Sequence, residues 1–243
     1  MLKLVVADFD GTLLPYSNKT VPESTITLIE TLISKGVAFA VSSGRTYSEL
    51  SALLKKVSDK IFFICDDGAL TIKNENVIFK KPFSKKSLSC FFDSDVFKYA
   101  TLYSMNKAYL VGDNKSPVLY DKSPKKVSRP FEITEDVFKV FASPKTFTLE
   151  DTSDYRVHYS EKGFTEFVSP FANKGVALAH LQLHLGVTKF DTAAIGDASN
   201  DIPMMSHAKY SFSIGDKSKE LNKICTYNSR SAEEALQKLV SFT

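Results

Sequence analysis

Short apolar runs alternate with helical stretches through the first 65 residues, and that alternation leaves few folds open. Leu2–Ala7, Val37–Val41 and Ile61–Ile64 are each too short for a helix. They read as strands buried on both faces. Between them, Pro22 opens a segment with Ile26, Ile29, Leu32 and Ile33 at helical spacing, closed by Gly36. Thr46–Val57 places Leu50, Leu53 and Leu54 on one helical face. Strand, helix, strand, helix, strand is the grammar of βαβ units and a parallel sheet.

From about Asp67 to Ser169 the pattern changes to short runs of period two: Ala69–Lys73, Thr101–Met105, Tyr109–Val111, Tyr155–Tyr159 and Phe164–Val168. These predict an antiparallel sheet, with helices near Ser87–Phe97 and Glu135–Phe141. After Pro170 the first grammar returns. Lys174–Leu185 is helical, Thr192–Ile195 a strand, Asp201–Ser206 the start of a helix, and Lys209–Ile214 a strand. A short helix, an Ile224–Tyr227 strand and a helix over Ala232–Val240 follow. The fold class expected is α/β, a doubly wound parallel sheet formed by residues 1–81 and 169–243. A smaller α+β cap, residues 82–168, is inserted in it, with hinges near Pro82 and Pro170.

Several function classes fall away on composition. No run approaches a membrane span, and the apolar start is cut off at Asp8 before it could serve as a signal peptide. The cysteines, Cys65, Cys90 and Cys225, are odd in number and far apart, which argues against a disulfide scaffold and suits a cytoplasmic protein. Net charge is +3, too small to argue for nucleic acid. The two basic runs, Lys80, Lys81, Lys85, Lys86 and Lys122, Lys125, Lys126, Arg129, read as solvated faces. No glycine loop has nucleotide-binding spacing. His180 and His184 share a helix face but lack a third ligand. Tyr155, Tyr159, Phe164 and Phe167 read as core. The sequence is silent on oligomeric state.

What remains is a set of polar residues at the ends of the predicted elements. Asp8 and Asp10, two apart at the end of the first strand, face the same way. Open parallel sheets bind ligands at that edge. Paired carboxylates repel unless neutralised, and a magnesium ion with its preference for oxygen would do so. One carboxylate can then attack phosphorus while the other moves protons. Asp197, after the Thr192–Ile195 strand, would complete the oxygen shell, with Asn200 and Asp201 holding the loop around it. Ser43 offers a hydroxyl, Gly44 a backbone N–H and Lys174 a fixed positive charge to a phosphoryl group.

Asp8-Phe9-Asp10-Gly11-Thr12, Ser43-Gly44-Arg45, Lys174 and Gly196-Asp197-Ala198-Ser199-Asn200-Asp201 resemble the four ordered motifs of the haloacid dehalogenase superfamily. Cys65-Asp66-Asp67-Gly68-Ala69 and the position of the insertion make the likeness closest to its Cof-type phosphatases. The resemblance implies a phosphatase of small phosphorylated metabolites such as sugar phosphates. Asp8 would be the nucleophile and Asp10 the general acid and base. Asp8, the Asp10 carbonyl and Asp197 would be magnesium ligands. Phe9, Asp10, Ser43, Gly44, Lys174 and Asn200 would surround the substrate phosphate. The alternatives are a phosphotransferase or phosphomutase with the same nucleophile, and a binding protein that kept the fold. Asp67 departs from the more usual Asn, Ser43 from Thr, and Gly215-Asp216 from a small-residue–Asn-Ala stretch.

Overall fold

Strand β1 (Leu4–Asp8) is buried along its whole length, because it is paired on both edges and covered on both faces. In the computed structural model, which describes residues 1–105, 107–112, 124–144, 152–159 and 165–243, it is followed by α1 (Glu23–Ser34), β2 (Ala38–Ser42), α2 (Tyr47–Leu53), β3 (Phe62–Cys65) and the pair β4 (Leu70–Lys73) and β5 (Asn76–Lys80). Next come α3 (Lys85–Ser89), β6 (Phe97–Ser104), β7 (Ala108–Gly112), β8 (Lys125–Lys126), β9 (Val137–Pro144), β10 (Arg156–Tyr159) and β11 (Thr165–Val168). The chain closes with α4 (Lys174–Leu185), β12 (Thr192–Gly196), α5 (Ile202–Met205), β13 (Tyr210–Ile214), α6 (Lys219–Ile224), β14 (Tyr227–Ser229) and α7 (Ala232–Val240).

These elements fall into two units, Met1–Lys80 with Asn173–Thr243, and Lys81–Ala172. In the first, eight strands run in the order β14-β13-β12-β1-β2-β3-β4-β5. The six from β14 to β3 are parallel, and β4 and β5 add antiparallel pairs at the edge. Leu4 and Val6 of β1 pack with Ala177, Leu178 and Leu181 of α4 on one face. Registers Leu4 to Thr192 and Asp8 to Ser42 bring the carboxyl ends of β12, β1 and β2 level. Helix α4 is entered through Asn173, whose side chain accepts from the N–H groups of Gly175 and Val176, so its first residue, Lys174, is fixed in direction. His180 and His184 lie on an exposed face of α4, where His180 stacks ring on ring with Phe79 at 4.1 Å and His184 lies edge-on to Phe62.

Among the described residues, the second unit is a six-stranded sheet in the order β10-β11-β9-β6-β7-β8, antiparallel except where β8 joins β7. Phe91, Phe97, Leu102, Tyr109, Val140, Tyr155 and Phe167 form its core, as the aromatic alternation predicts for Tyr155 and Phe167; Phe164 lies outside the described residues. So does Lys122 of the second basic run, while Lys125, Lys126 and Arg129, like Lys80, Lys81, Lys85 and Lys86, are exposed.

Four expectations need correction. The helix expected near Glu135–Phe141 is strand β9. Val140 and Ala142 alternate into one buried cluster while Phe141, on the other face, packs with Tyr103 and Ala108 in a second, and pairing with β6 and β11 on both edges decides the matter. The helix expected over Ser87–Phe97 is shorter and earlier, because Phe97 already begins β6. Helix α2 ends at Leu53 rather than Val57. The last strand lies at Tyr227–Ser229, three residues beyond the expected start, because α6 runs on to Ile224. Among the described residues no helix is long and apolar enough to cross a membrane.

Candidate active site

Four segments of the first unit meet at the carboxyl edge of its sheet: the end of β1, the turn after β2, the turn after β12 and the start of α4. Lys174 is at the centre. Its ammonium lies 2.7 Å from Asp8 Oδ1 and 2.7 Å from Asp201 Oδ1, and all three residues are buried. The other oxygen of Asp201 accepts from the N–H groups of Asp197 at 3.1 Å and Ala198 at 3.2 Å. Asp201 therefore ties the β12 loop to the lysine. Asn200 is exposed and makes no side-chain hydrogen bond among the described residues. The holding role expected of the pair belongs, in this arrangement, to Asp201.

Asp8, Asp197 and Asp201 are buried, and each offers a carboxylate oxygen within 4.8 Å of the others. Burial pushes the Asp8 carboxyl up to about 8, with Lys174 opposing and Asp201 and Asp197 reinforcing the rise. Burial also works against the Lys174 charge, but Asp8, Asp201 and Asp67 more than offset it and hold the ammonium above the usual lysine range. Between about pH 4 and pH 8 the folded protein therefore holds a proton on Asp8 that the unfolded chain has released. Stability is accordingly lost as pH rises through that window. In EDTA, the melting temperature of the wild type should fall from pH 5 to pH 8 more steeply than that of Asp8→Asn. Parallel curves from scanning fluorimetry would show that Asp8 carries no such proton.

Asp10 turns its carboxylate away from this cluster. Arg45 grips it with Nε at 3.0 and 3.1 Å and Nη2 at 2.8 Å, and the Ser43 hydroxyl donates to it at 3.2 Å. Arg45 is itself anchored by Glu49 at 3.4 Å and lies 5.6 Å from the centre of the Phe9 ring. Phe9 does not present a donor to a phosphate. Its ring is buried and its N–H donates to the Ser42 carbonyl at 3.2 Å, as sheet pairing requires. The Gly11 N–H is likewise taken up by the Leu14 carbonyl at 2.8 Å. Gly11 itself is required: its φ is +86°, and a Cβ there would strike Asp197 and Tyr16. Gly44 lies against the Asp67 carboxylate, where a Cβ would come within 3.2 Å of Oδ2.

Asp197 completes the cluster. It accepts from Thr12 Oγ1 at 3.4 Å and pairs with Lys217 at 2.8 Å. Burial opposes the Lys217 charge, and Asp197 more than restores it. Arg45 and Lys217 are the residues that sequence reasoning passed over as site members. Both had a positional signal. Arg45 directly follows Ser43-Gly44, and Lys217 follows β13, which ends at the same sheet edge.

The family model of haloacid dehalogenase-like hydrolases matches residues 5–236. An HMP-PP phosphatase of Cronobacter sakazakii is 27% identical over 238 residues, covering 91% of this chain and 87% of that protein. A 5-amino-6-(5-phospho-D-ribitylamino)uracil phosphatase of Escherichia coli is 22% identical over 235 residues, covering 88% and 85%. The crystal structure of a haloacid dehalogenase-like hydrolase from Bacteroides thetaiotaomicron superposes with a TM-score of 0.81 at 19% identity, over 98% of this chain and 100% of that one. At that identity the likeness speaks for the fold.

Proposed function

Because the chain belongs to the haloacid dehalogenase-like hydrolases, in their Cof-type branch, we propose that it hydrolyses small phosphate monoesters, sugar phosphates or similar metabolites, through a phosphorylated Asp8. The observation that carries this reading is Lys174, a buried ammonium shared between Asp8 and Asp201 at a sheet edge where Ser43 and Asp197 also converge. A charge fixed there can meet the negative charge that develops on a transferring phosphoryl group. The names of two relatives, each a phosphatase of a small phosphorylated molecule, support the same reading.

In this proposal Asp8 attacks phosphorus and the bond from phosphorus to the leaving oxygen breaks. Asp10 gives its proton to that oxygen. Asp10 then takes a proton from water, whose oxygen attacks phosphorus and frees Asp8. Ser43, Gly44 and Lys174 hold the phosphoryl oxygens. The buried carboxylate cluster fits a hard divalent cation. Asp8, the Asp10 carbonyl and Asp197 would hold Mg2+, as the resemblance to the family implies, while Asp201 holds Lys174 and the β12 loop. When bound, the ion neutralises the carboxylates and draws charge from the phosphoryl oxygens. We assign substrate selection to the inserted unit. The three cysteines, odd in number and far apart in the sequence, suit a reducing compartment, and the proposal places the enzyme in the cytoplasm.

The test is release of inorganic phosphate from a panel of phosphate monoesters, with Mg2+ and with EDTA, with and without a second sugar as acceptor. Mg2+-dependent release to water supports the reading. Transfer to the acceptor would make the chain a phosphotransferase, and no reaction of any ester would reject the assignment. Arg45 gives a further expectation. Arg45→Lys keeps a charge but loses the two-point grip on Asp10. Steady-state kinetics should show kcat roughly tenfold lower, with KM little changed. An unaltered kcat would remove Arg45 from the placement of Asp10.

A further inference from the structure

Lys217 sits on the site in a way its position in the fold does not require. It follows β13, next to Gly215-Asp216, and half of its side chain is exposed, yet its ammonium reaches in to the buried Asp197 carboxylate at 2.8 Å. The same ammonium lies 3.6 Å from the centre of the Tyr16 ring. The Tyr16 hydroxyl donates in turn to the backbone carbonyl of Asp10 at 3.3 Å. Two side chains stacked on one another thus engage two of the three oxygen donors that the proposed function gives to the divalent cation. Tyr16 is mostly exposed, so neither residue is held in place by a packed core.

We propose that Lys217, with Tyr16 stacked on it, is a positioning residue that occupies the cation's place on Asp197. The ion and the Lys217 ammonium compete for one carboxylate, and the enzyme takes up metal only as the lysine swings outward. The inference rests on the assignment of Asp10 and Asp197 as ligands. An ammonium is a single charge that can leave on a flexible stem. An exposed arm costs little to move, because a pair open to water on one side is weak. The device raises the metal concentration at which the site fills. It also keeps the buried Asp197 neutralised until then.

Calorimetric titration of Mg2+, and of Mn2+ followed by its paramagnetic resonance, into the metal-free protein tests this without turnover. Lys217→Ala should bind either ion roughly three- to fivefold more tightly than the wild type, and Lys217→Arg should bind like the wild type. Tyr16→Phe, which frees the Asp10 carbonyl but keeps the stacked ring, should tighten binding by a smaller factor. In EDTA the Lys217→Ala protein should melt lower than the wild type, and saturating Mg2+ should close the gap. Equal or weaker metal binding by Lys217→Ala overturns the proposal, the weaker case making Lys217 an organiser of Asp197. A wild type that binds neither ion would instead strike at the metal-dependent reading of the site, so the two failures can be told apart.

Discussion

Asp8→Asn should release no phosphate above background, a loss of at least ~10⁴-fold in kcat, because the proposed nucleophile is gone while the shape of the side chain is kept. The same variant should be more stable than the wild type in the absence of metal. Asp8, Asp197 and Asp201 crowd three carboxylates against the ammoniums of Lys174 and Lys217. Replacing the one that burial most disfavours leaves the remaining charges balanced. The asparagine oxygen can still accept from Lys174. At pH 8 in EDTA a rise of roughly 2–4 °C in melting temperature is expected for a gain near 1 kcal/mol in a chain of this size. Loss of activity together with a lower melting temperature would mean that Asp8 holds the fold together, and the loss of rate would then say nothing about nucleophilic attack. Residual Mg2+-dependent turnover equal to that of the wild type would remove Asp8 from the chemistry.

Asp201→Ala should fail in the opposite sense. Asp201 is completely buried and joins Lys174 to the backbone of Asp197 and Ala198 through three hydrogen bonds. Its removal leaves two N–H groups without their acceptor and frees one side of a buried ammonium. The cost is about 3 kcal/mol, or roughly 6–12 °C in melting temperature. With Lys174 no longer held on two sides, kcat should fall by about 10²–10³. Asp201→Asn separates the two effects. Its oxygen can still accept from the β12 loop, so much of the melting temperature returns. Its amide faces the ammonium, so the rate should not recover. Calorimetry and single-turnover kinetics on both variants check this, and an alanine variant as stable as the wild type would refute the tie between loop and lysine.

Much of this was legible in the residues. The buried strands announced themselves as short apolar runs, and parallel pairing then forced Asp8, Ser43 and Asp197 to one edge, since each stands at a strand's carboxyl end. Lys174 needed only the start of a helix. What the sequence could not give was the direction in which each polar group turns. Phe9 belongs to the same motif as Asp8 and Asp10, yet its N–H is consumed by pairing with Ser42. Asn200 and Asp201 are neighbours, yet one is exposed and the other completely buried. Partners such as Arg45 for Asp10, or Lys217 for Asp197, lie on other elements, and only the folded sheet edge brings them together. The misread helix at β9 has the same origin. Valine and phenylalanine at mixed spacing suit either state, and the two neighbouring strands settle it.

The strand order has a consequence for synthesis on the ribosome. β1 is central in the finished sheet, but one of its two partners, β12, is encoded after the whole of the inserted unit. Until Thr192–Gly196 emerges, β1 can pair only with β2, and the edge from Leu4 to Ala7 is an open apolar template. Roughly 180 residues separate the two strands, which at ~5–20 residues per second is about 10–40 s of exposure on a growing chain. In that interval the inserted unit can already fold on its own contacts. The nascent β1 edge is therefore where a chaperone that shields unpaired strands would act, and the carboxylates of Asp8, Asp197 and Asp201 come together only when the closing half of the sheet arrives.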